Sequence, residues 1–446
     1  MRVDDGVQGL LLALKGTTAT RPERPLLTVS PTFHYQRPEN SQKWDGRIDQ
    51  DLLPRANPKF SRDGRSRLSG KADAPTPKLI QSLMTLGDLG HKWTLCCCTS
   101  NLLRPSRVSE DSTVTVILSL DDVYDLAVQA LTGSRTSETN AQPVAESIRA
   151  AEADGFRHAG LAHLTHYCED ARRGRVDGHA VPTWEQSAAT AILVDARQGF
   201  AHAAFAVARQ TLVELARNAG IAAMALRHSY DAAMLGYFVE ALARDGLVAL
   251  AFANSLSRSI APWGGKEPIF GTNPMAFAVP RDYGDPLVID QSSSTVARMT
   301  VRQYADAQNP IPAGWALDKD GQPTTDAAAG LAGSMAPFGE YKGASLALIV
   351  DILAANMTGS SFTFQAASTA DRGTPPDLGQ FFIAMCPATF GNPDFGARLE
   401  TLLAAMLAQD GVRLPGSRRL ANRARARREG VSVDDELHKR LLNYCA

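Results

Sequence analysis

None of the 35 glycines falls at the G-x-G-x-x-G spacing, and the chain holds no G-x-x-x-x-G-K-[ST], H-E-x-x-H, G-x-S-x-G or C-x-x-C. These absences remove motif support for an ordinary Rossmann site, a P-loop, a zincin, a hydrolase nucleophile elbow and a thioredoxin-like centre. Cysteine is scarce. Cys96, Cys97 and Cys98 are adjacent, while Cys168, Cys386 and Cys445 stand alone. That spacing argues against a disulfide framework and for a reducing, cytoplasmic setting. No stretch approaches the ~18 uninterrupted apolar residues of a membrane span; the best, Leu346 to Ala355, contains Asp351. Asp4 and Asp5 ahead of the short apolar run Leu10 to Leu14 make a poor signal or transit peptide. Charge of one sign is lacking too: the formal net charge is −1, which gives no case for a nucleic-acid or membrane partner.

What is present divides unevenly. With 446 residues, 44% of them hydrophobic, the chain can bury a substantial core. Residues 1–110 carry 17 Lys and Arg against 11 Asp and Glu, and the remainder 29 against 36. The basic piece is rich in Arg, Pro, Ser and Asp and has no period of 3.6 or 2. Residues 1–113 are therefore expected to be a disordered extension, either upstream sequence read through from a misassigned start or a genuine basic tail or linker.

Regular patterning begins near Val114. "TVTVIL" predicts a strand, and Ser119 with Asp121 and Asp122 predicts a capped helix stopped by Gly133. A second helix is expected from Ser137 to Asp154, with Gly155 as its stop. From Phe200 the pattern alternates: a helix to Asn218, a strand Ile221 to Leu226, a helix to Asp245 and a strand Leu247 to Phe252. A strand Pro286 to Asp290, a helix Lys342 to Met357, a strand Gln380 to Met385 and a helix Ala397 to Leu407 follow. This alternation is an α/β signature.

Three loops hold the polar residues that could carry chemistry. "APWGGKEPIFGTNPMAFAVP" (261–280) reads either as a structural turn or as an anion-binding backbone. In "PLVIDQSSST", Asp290 ends a strand, where a carboxylate orients a substrate or binds a ribose hydroxyl, or caps the next helix. In "EYKGASLALIV", Lys342 at a helix head suits a phosphate or carboxylate neighbour, or is simply solvated. His163 and His166 could share a helical face, but no Cys or carboxylate pair completes a metal set, and no metal is expected. The run Arg413 to Arg428 lacks interleaved aromatics, so a solvated helix face is expected in preference to a nucleic-acid or other interaction surface.

From about Val114 onward the chain resembles the malate/L-lactate dehydrogenase family outside the Rossmann group. The resemblance rests on "APWGGKEPIFGTNPMAFAVP", "PLVIDQSSS", "IPAGWALDKDGQPTTD", "EYKGASLAL", "LGQFFIAM" and "GVRLPGSRR", in that order. Within the family the wording is similar to (R)-sulfolactate dehydrogenases. The resemblance implies a homodimer with a largely antiparallel NAD(P)-binding sheet and hydride transfer at C2 of a small 2-hydroxy or 2-oxo acid of malate, lactate or sulfolactate type. It implies a cofactor-binding part at 199–299, and a helical, substrate-binding part from 114–198 with 300–446. Carried over by position, Ser255, Ile289, Asp290, Gln291, Lys342 and Gly416 fall where the family contacts NAD or NADP, and Asp290 also near the reacting centre.

The family's acid/base residues are not all kept. Anchored on Gly160 and Tyr167, the family's histidine slot holds Ala159 and its arginine slot holds His163, with His158 displaced by one residue. A second family histidine is replaced by Asp231. Two readings follow. Either His158, His163 or Asp231 takes over proton transfer in an active dehydrogenase, or the chain is a catalytically impaired nucleotide-binding paralogue.

Overall fold

The computed structural model describes residues 115–367 and 373–446, so the expected disordered extension lies outside the described residues. Ser119 marks the first boundary between elements. Its hydroxyl accepts from the Asp122 N–H at 3.1 Å, and the Asp122 carboxylate accepts from the Ser119 N–H at 2.9 Å. This reciprocal cap separates β1 (Thr115–Leu118) from α1 (Leu120–Thr132). Ser137 caps α2 (Glu138–Asp154), which Gly155 ends in the left-handed region. One 3-10 turn, Arg157–Ala159, then leads into α3 (Leu161–Arg173).

A hairpin of β2 (Thr183–Ala188) and β3 (Ala191–Asp195) precedes α4 (Ala201–Ala219), β4 (Ile221–Ser229), α5 (Gly236–Arg244) and β5 (Val248–Ala253). After the long loop come β6 (Met275–Val279), β7 (Leu287–Gln291) and α6 (Arg298–Asp306). Small elements follow: β8 (Ala316–Leu317), β9 (Pro323–Thr324), α7 (Ala327–Ala332) and β10 (Ser334–Met335). The last section is α8 (Tyr341–Asp351), β11 (Leu378–Met385), α9 (Phe395–Leu407), α10 (Ser417–Glu429), β12 (Val431–Asp434) and α11 (Asp435–Leu442).

Seven strands form the main sheet in the order β2-β3-β4-β11-β5-β6-β7. Every neighbouring pair is antiparallel except β3 with β4. The sheet is thus mixed, and it takes β2, β3 and β11 from outside 199–299. Apolar side chains of α4 and α5, among them Phe205, Leu212 and Phe238, cover one face. On the other, Val350 and Ala354 pack with Phe252 and Phe381. A second core joins α1, α2 and α3 to the β1–β12 ribbon around Leu131, Ile148 and Tyr167.

Three expectations need correction. The helix from Lys342 changes to a π turn at Ile352–Asn356. The segment after Pro274 is a strand, β6, because Met275 to Val279 pairs with β5 on one side and β7 on the other. The arginine run is not a uniformly solvated face: Arg419 and Arg423 are each only 8% exposed. Among the described residues, no helix is long and apolar enough to cross a membrane.

Candidate active site

The order and direction of the strands bring the candidate residues to one end of the sheet. Ser229 at the end of β4 lies opposite Leu378 at the start of β11, and Gln380 faces Ala253 at the end of β5. Met275 at the start of β6 pairs with Gln291 at the end of β7. Loops after β4, β5 and β7 therefore emerge together, the arrangement in which α/β proteins place ligands. They carry Asp231, Ser255 and the Asp290–Gln291 pair.

The dinucleotide candidates sit on closely approaching backbone. Gly271 lies so near Ser255 that a Cβ there would stand 2.5 Å from the Ser255 Cβ. Ser293 donates its N–H to the Thr272 carbonyl at 2.7 Å and its hydroxyl to the Asn273 carbonyl at 2.9 Å. Asn273, fully buried at φ 38°, donates its amide to the Ala347 carbonyl at 2.9 Å. "GTNP" is thus the structural turn that locks β6 to α8. A Cβ at Gly343 would meet the Ser293 carbonyl at 2.8 Å, so the head of α8, with exposed Lys342, is pressed onto the Ser292–Ser294 turn. Gly416 adopts φ +81°, and its missing Cβ would lie 3.5 Å from the Val288 carbonyl of β7. Half-exposed Ile289 and exposed Gln291 flank Asp290. Gly271 and Gly343 are thus required by packing within the protein and Gly416 by its positive φ, and the exposed Lys342, Asp290 and Gln291 beside them are the polar groups open to a dinucleotide.

Asp290 caps a helix, though not the one following it in sequence. Its Oδ2 accepts from the Gly236 N–H at 2.6 Å, which is the open N-terminus of α5. Asp290 keeps solvent contact on one side while protein crowds the others. That desolvation outweighs the Gly236 hydrogen bond and the Arg419 charge and pushes its carboxyl up to about 6.

The substituted acid/base positions meet each other. His163 Nε2 and Asp231 Oδ2 are 3.0 Å apart, with side chains 21% and 26% exposed. Burial pushes the Asp231 carboxyl up, but the His163 hydrogen bond and charge, aided by the Ala233 N–H, hold it below the ordinary carboxylate range. Tyr167 supports the pair from beneath. Its ring meets His163 edge-on at 4.6 Å and its hydroxyl donates to the Asp231 carbonyl at 3.3 Å.

Other sequence candidates fall outside the pair. His158 is exposed, with its ring 6.2 Å from Phe156, and Ala159 is buried against Met234 and Ala151. His166 shares α3 with His163, ring centroids 5.8 Å apart, and among the described residues no group of three His, Cys, Asp or Glu could hold a metal. Sequence reasoning missed Gly236, Arg419 and buried His202, whose pKa burial pushes down to about 4. Arg419, Arg423 and Ala426 at i, i+4 and i+7 mark one buried stripe of α10, a spacing visible in sequence.

The sequence profile of the malate/L-lactate dehydrogenase family matches residues 118–442. A (2R)-3-sulfolactate dehydrogenase (NADP(+)) of Chromohalobacter salexigens is 45% identical over 329 residues, 74% of this chain and 98% of that protein. A Δ1-pyrroline-2-carboxylate/Δ1-piperideine-2-carboxylate reductase of Pseudomonas aeruginosa is 39% identical over 330 residues, 73% of this chain and 98% of its own length. Among solved structures, the Δ1-piperideine-2-carboxylate reductase of Pseudomonas syringae pvar. tomato superposes with a TM-score of 0.71 at 37% identity, covering 74% of this chain and 100% of that one. The sulfolactate dehydrogenase of Methanocaldococcus jannaschii gives 0.69 at 26% identity, with 74% and 96% covered.

Proposed function

Given that the chain belongs to the malate/L-lactate dehydrogenase family and is an NAD(P)-dependent oxidoreductase, we propose that it interconverts a small 2-hydroxy acid and its 2-oxo acid, of sulfolactate type, with NADP(H). The observation that carries this reading is the His163–Asp231 pair, 3.0 Å apart at the sheet end where the dinucleotide candidates gather. The dinucleotide, when bound, supplies or accepts the hydride at C2. His163 gives the proton to the C2 oxygen during reduction and takes it back during oxidation, as a positioned imidazole can. Asp231, 3.0 Å from Nε2, fixes the orientation of the ring. The pairing supports an active enzyme over an impaired paralogue, because the two substituted positions complete each other. Ser255, Ile289, Asp290, Gln291, Lys342 and Gly416 hold the dinucleotide, with Lys342 opposite a phosphate.

A homodimer is part of this reading. Leu348 (47%), Ile349 (48%), Ile352 (42%) and Met357 (56%) stand exposed along α8 and the π turn, and an apolar stripe of this kind supports self-association.

One observation favours a second substrate class. Asp231 and Asp290 are both carboxylates, and the arginine slot holds His163. A cyclic iminium carboxylate arrives already protonated, so hydride addition at its C2 needs no acid, and nearby carboxylates stabilise its cation. NADPH oxidation followed with 3-sulfopyruvate, oxaloacetate, pyruvate and Δ1-pyrroline-2-carboxylate separates the readings. Fastest turnover of 3-sulfopyruvate is expected. Turnover of the imine alone would transfer the site to the second class, and no turnover of any would remove both.

A further inference from the structure

A polar cavity of about 270 Å³ opens where the C-terminal ends of α2 and α10 meet, and its walls include Glu152, Arg157, Asn422, Arg425 and Ser432. None of its lining residues belongs to the loops after β4, β5 and β7 that carry the candidate active site. Glu152 is its buried member, only 7% exposed. Its Oε1 accepts from the Leu161 N–H at 2.7 Å, while Oε2 takes part in no hydrogen bond among the described residues. A buried carboxylate oxygen beside a cavity calls for a donor. Desolvation pushes the Glu152 carboxyl above its ordinary range despite the Leu161 N–H and the Arg157 charge, so a cation at the remaining oxygen is favoured.

The helix ends add to this preference. Ala153 and Gly155 at the close of α2, and Glu429 and Gly430 at the close of α10, all line the cavity, so the carbonyl ends of two helix dipoles open onto it and favour a positive charge. Glu429 itself is paired with Arg428 at 3.3 Å. Two arginines supply the other sign. The exposed Arg157 side chain, on the 3-10 turn, makes no hydrogen bond or ion pair among the described residues. Arg425 donates to Asn422 Oδ1 at 3.1 Å, and Asn422 donates to the Asp154 carbonyl at 3.1 Å. That chain ties Arg425 to α2 and leaves the rest of its guanidinium uncommitted, in a geometry that suits a carboxylate.

We propose that this cavity binds a small α-amino acid as its zwitterion, with the ammonium on Glu152 Oε2 and the carboxylate on Arg157 and Arg425, and that the occupant acts on α3. A simple anion would leave Glu152 without a donor, and a simple cation would be repelled by the two arginines. The route to α3 is the Glu152 carboxylate itself. Leu161, whose N–H it holds, is the first residue of α3 and stands two residues ahead of His163, and a Cβ at Gly160 would collide with that carboxylate. An ammonium that pins Oε2 also pins the bond that starts α3. The consequence for proton transfer rests on the reading of His163 as the proton group; the binding does not.

Binding of L-serine to the full chain is measured by isothermal titration calorimetry at neutral pH, with acetate and methylamine as the two half-ligands. L-serine should bind, and each half-ligand should bind at least about 10-fold more weakly, the loss of one charge-assisted contact. Glu152→Gln keeps an oxygen for Leu161 and removes the charge, and Arg157→Gln and Arg425→Gln, at exposed positions, read the same site should Glu152→Gln not fold. Each should weaken L-serine by about 10-fold, whereas Arg427→Gln, on α10 but outside the cavity, and His163→Ala should not. Saturation with L-serine should also slow hydrogen exchange of the Leu161 amide. Absence of binding, equal binding of acetate, or undiminished binding in the Arg157 and Arg425 variants overturns the proposal. Loss of binding in His163→Ala, which would put the amino acid at the candidate active site, overturns it as well, and so does unchanged exchange at Leu161. A chain that binds L-serine in this way yet turns over no 2-oxo acid would uphold the cavity while removing the dehydrogenase reading.

Discussion

Two regions meet at the same end of the main sheet and have been treated differently by substitution. On the β5–β6–β7 side, Ser255, Gly271, Asp290 and Gly416 match the family wording and are fixed by close backbone packing. On the side of α3 and the β4–α5 loop, the family's histidine and arginine slots hold Ala159, His163 and Asp231. The first side constrains shape: an added Cβ at Gly271 or Gly236 crowds Ser255 or Asp290, and Gly416 is held at φ +81°. The second requires only a proton group and a counter-charge at the right place, and more than one pair of residues meets that need. Under the proposed assignment of His163 and Asp231, chemistry at the second side is exchangeable in a way that the first side's geometry is not.

The comparison breaks most sharply at Asp231. Asp231→Ala leaves His163 without its carboxylate, and kcat/KM should fall by ~10²–10⁴-fold, the range for losing a positioned acid or its orienter. NADPH affinity, measured by fluorescence titration, should change by no more than about two-fold, since uniform binding is untouched.

Gly236→Ala tests the seam between the regions. The new Cβ would stand 3.0 Å from Asp290 Oδ2, displacing the carboxylate from the α5 N-terminus. Turnover should drop on the order of 10-fold or more for a shift well under an ångström, with far-UV circular dichroism unchanged. Gly416→Ala belongs to the dinucleotide side alone. At φ +81° a side chain costs about 1 kcal/mol, a strain carried with and without bound NADPH alike, so it should lower Tm by roughly 2 °C and leave NADPH affinity within about two-fold of native.

The smallest effect is on stability. His202 is neutral when folded, with its pKa pushed down to about 4 by burial, and it takes up a proton near 6.5 once unfolded. Stability is therefore present above about pH 6.5 and lost as pH falls toward 4, with a slope of at most ~1.4 kcal/mol per pH unit. His202→Phe keeps the ring beside Phe238, 5.1 Å away in the native protein, and should flatten that slope in denaturant titrations at pH 5 and 7.

How much of this was legible in sequence follows from where each signal lies. The caps at Ser119, Ser137 and Gly155 are local, and α1 and α2 begin and end where they predict. Strands β4, β5, β7 and β11 were visible as apolar runs between glycines and polar turns. Strand β6 was hidden because "MAFAV" follows a turn-forming Gly-Thr-Asn-Pro, and only its partners β5 and β7 make it a strand. The π turn at Ile352–Asn356 has no propensity signature. For the site, Asp290 was legible as a strand-end carboxylate, yet its partner Gly236 lies 54 residues away. His163 and Asp231 could each be singled out as a departure, but their 68-residue separation made the pairing a matter of tertiary structure. The i, i+4, i+7 spacing of Arg419, Arg423 and Ala426 was legible as one helical face, but their burial was not, because their partners Asp154 and Glu240 lie on other helices.

The central claim is that His163 and Asp231 act as one unit inside an intact dinucleotide site. A double-mutant cycle of His163→Ala and Asp231→Ala, read as kcat/KM for NADPH-dependent reduction of 3-sulfopyruvate, tests it most directly. If the two residues work together, each single variant should lose about as much as the double, a strongly non-additive cycle. Losses that simply multiply, or single variants as active as the native chain, would contradict the account.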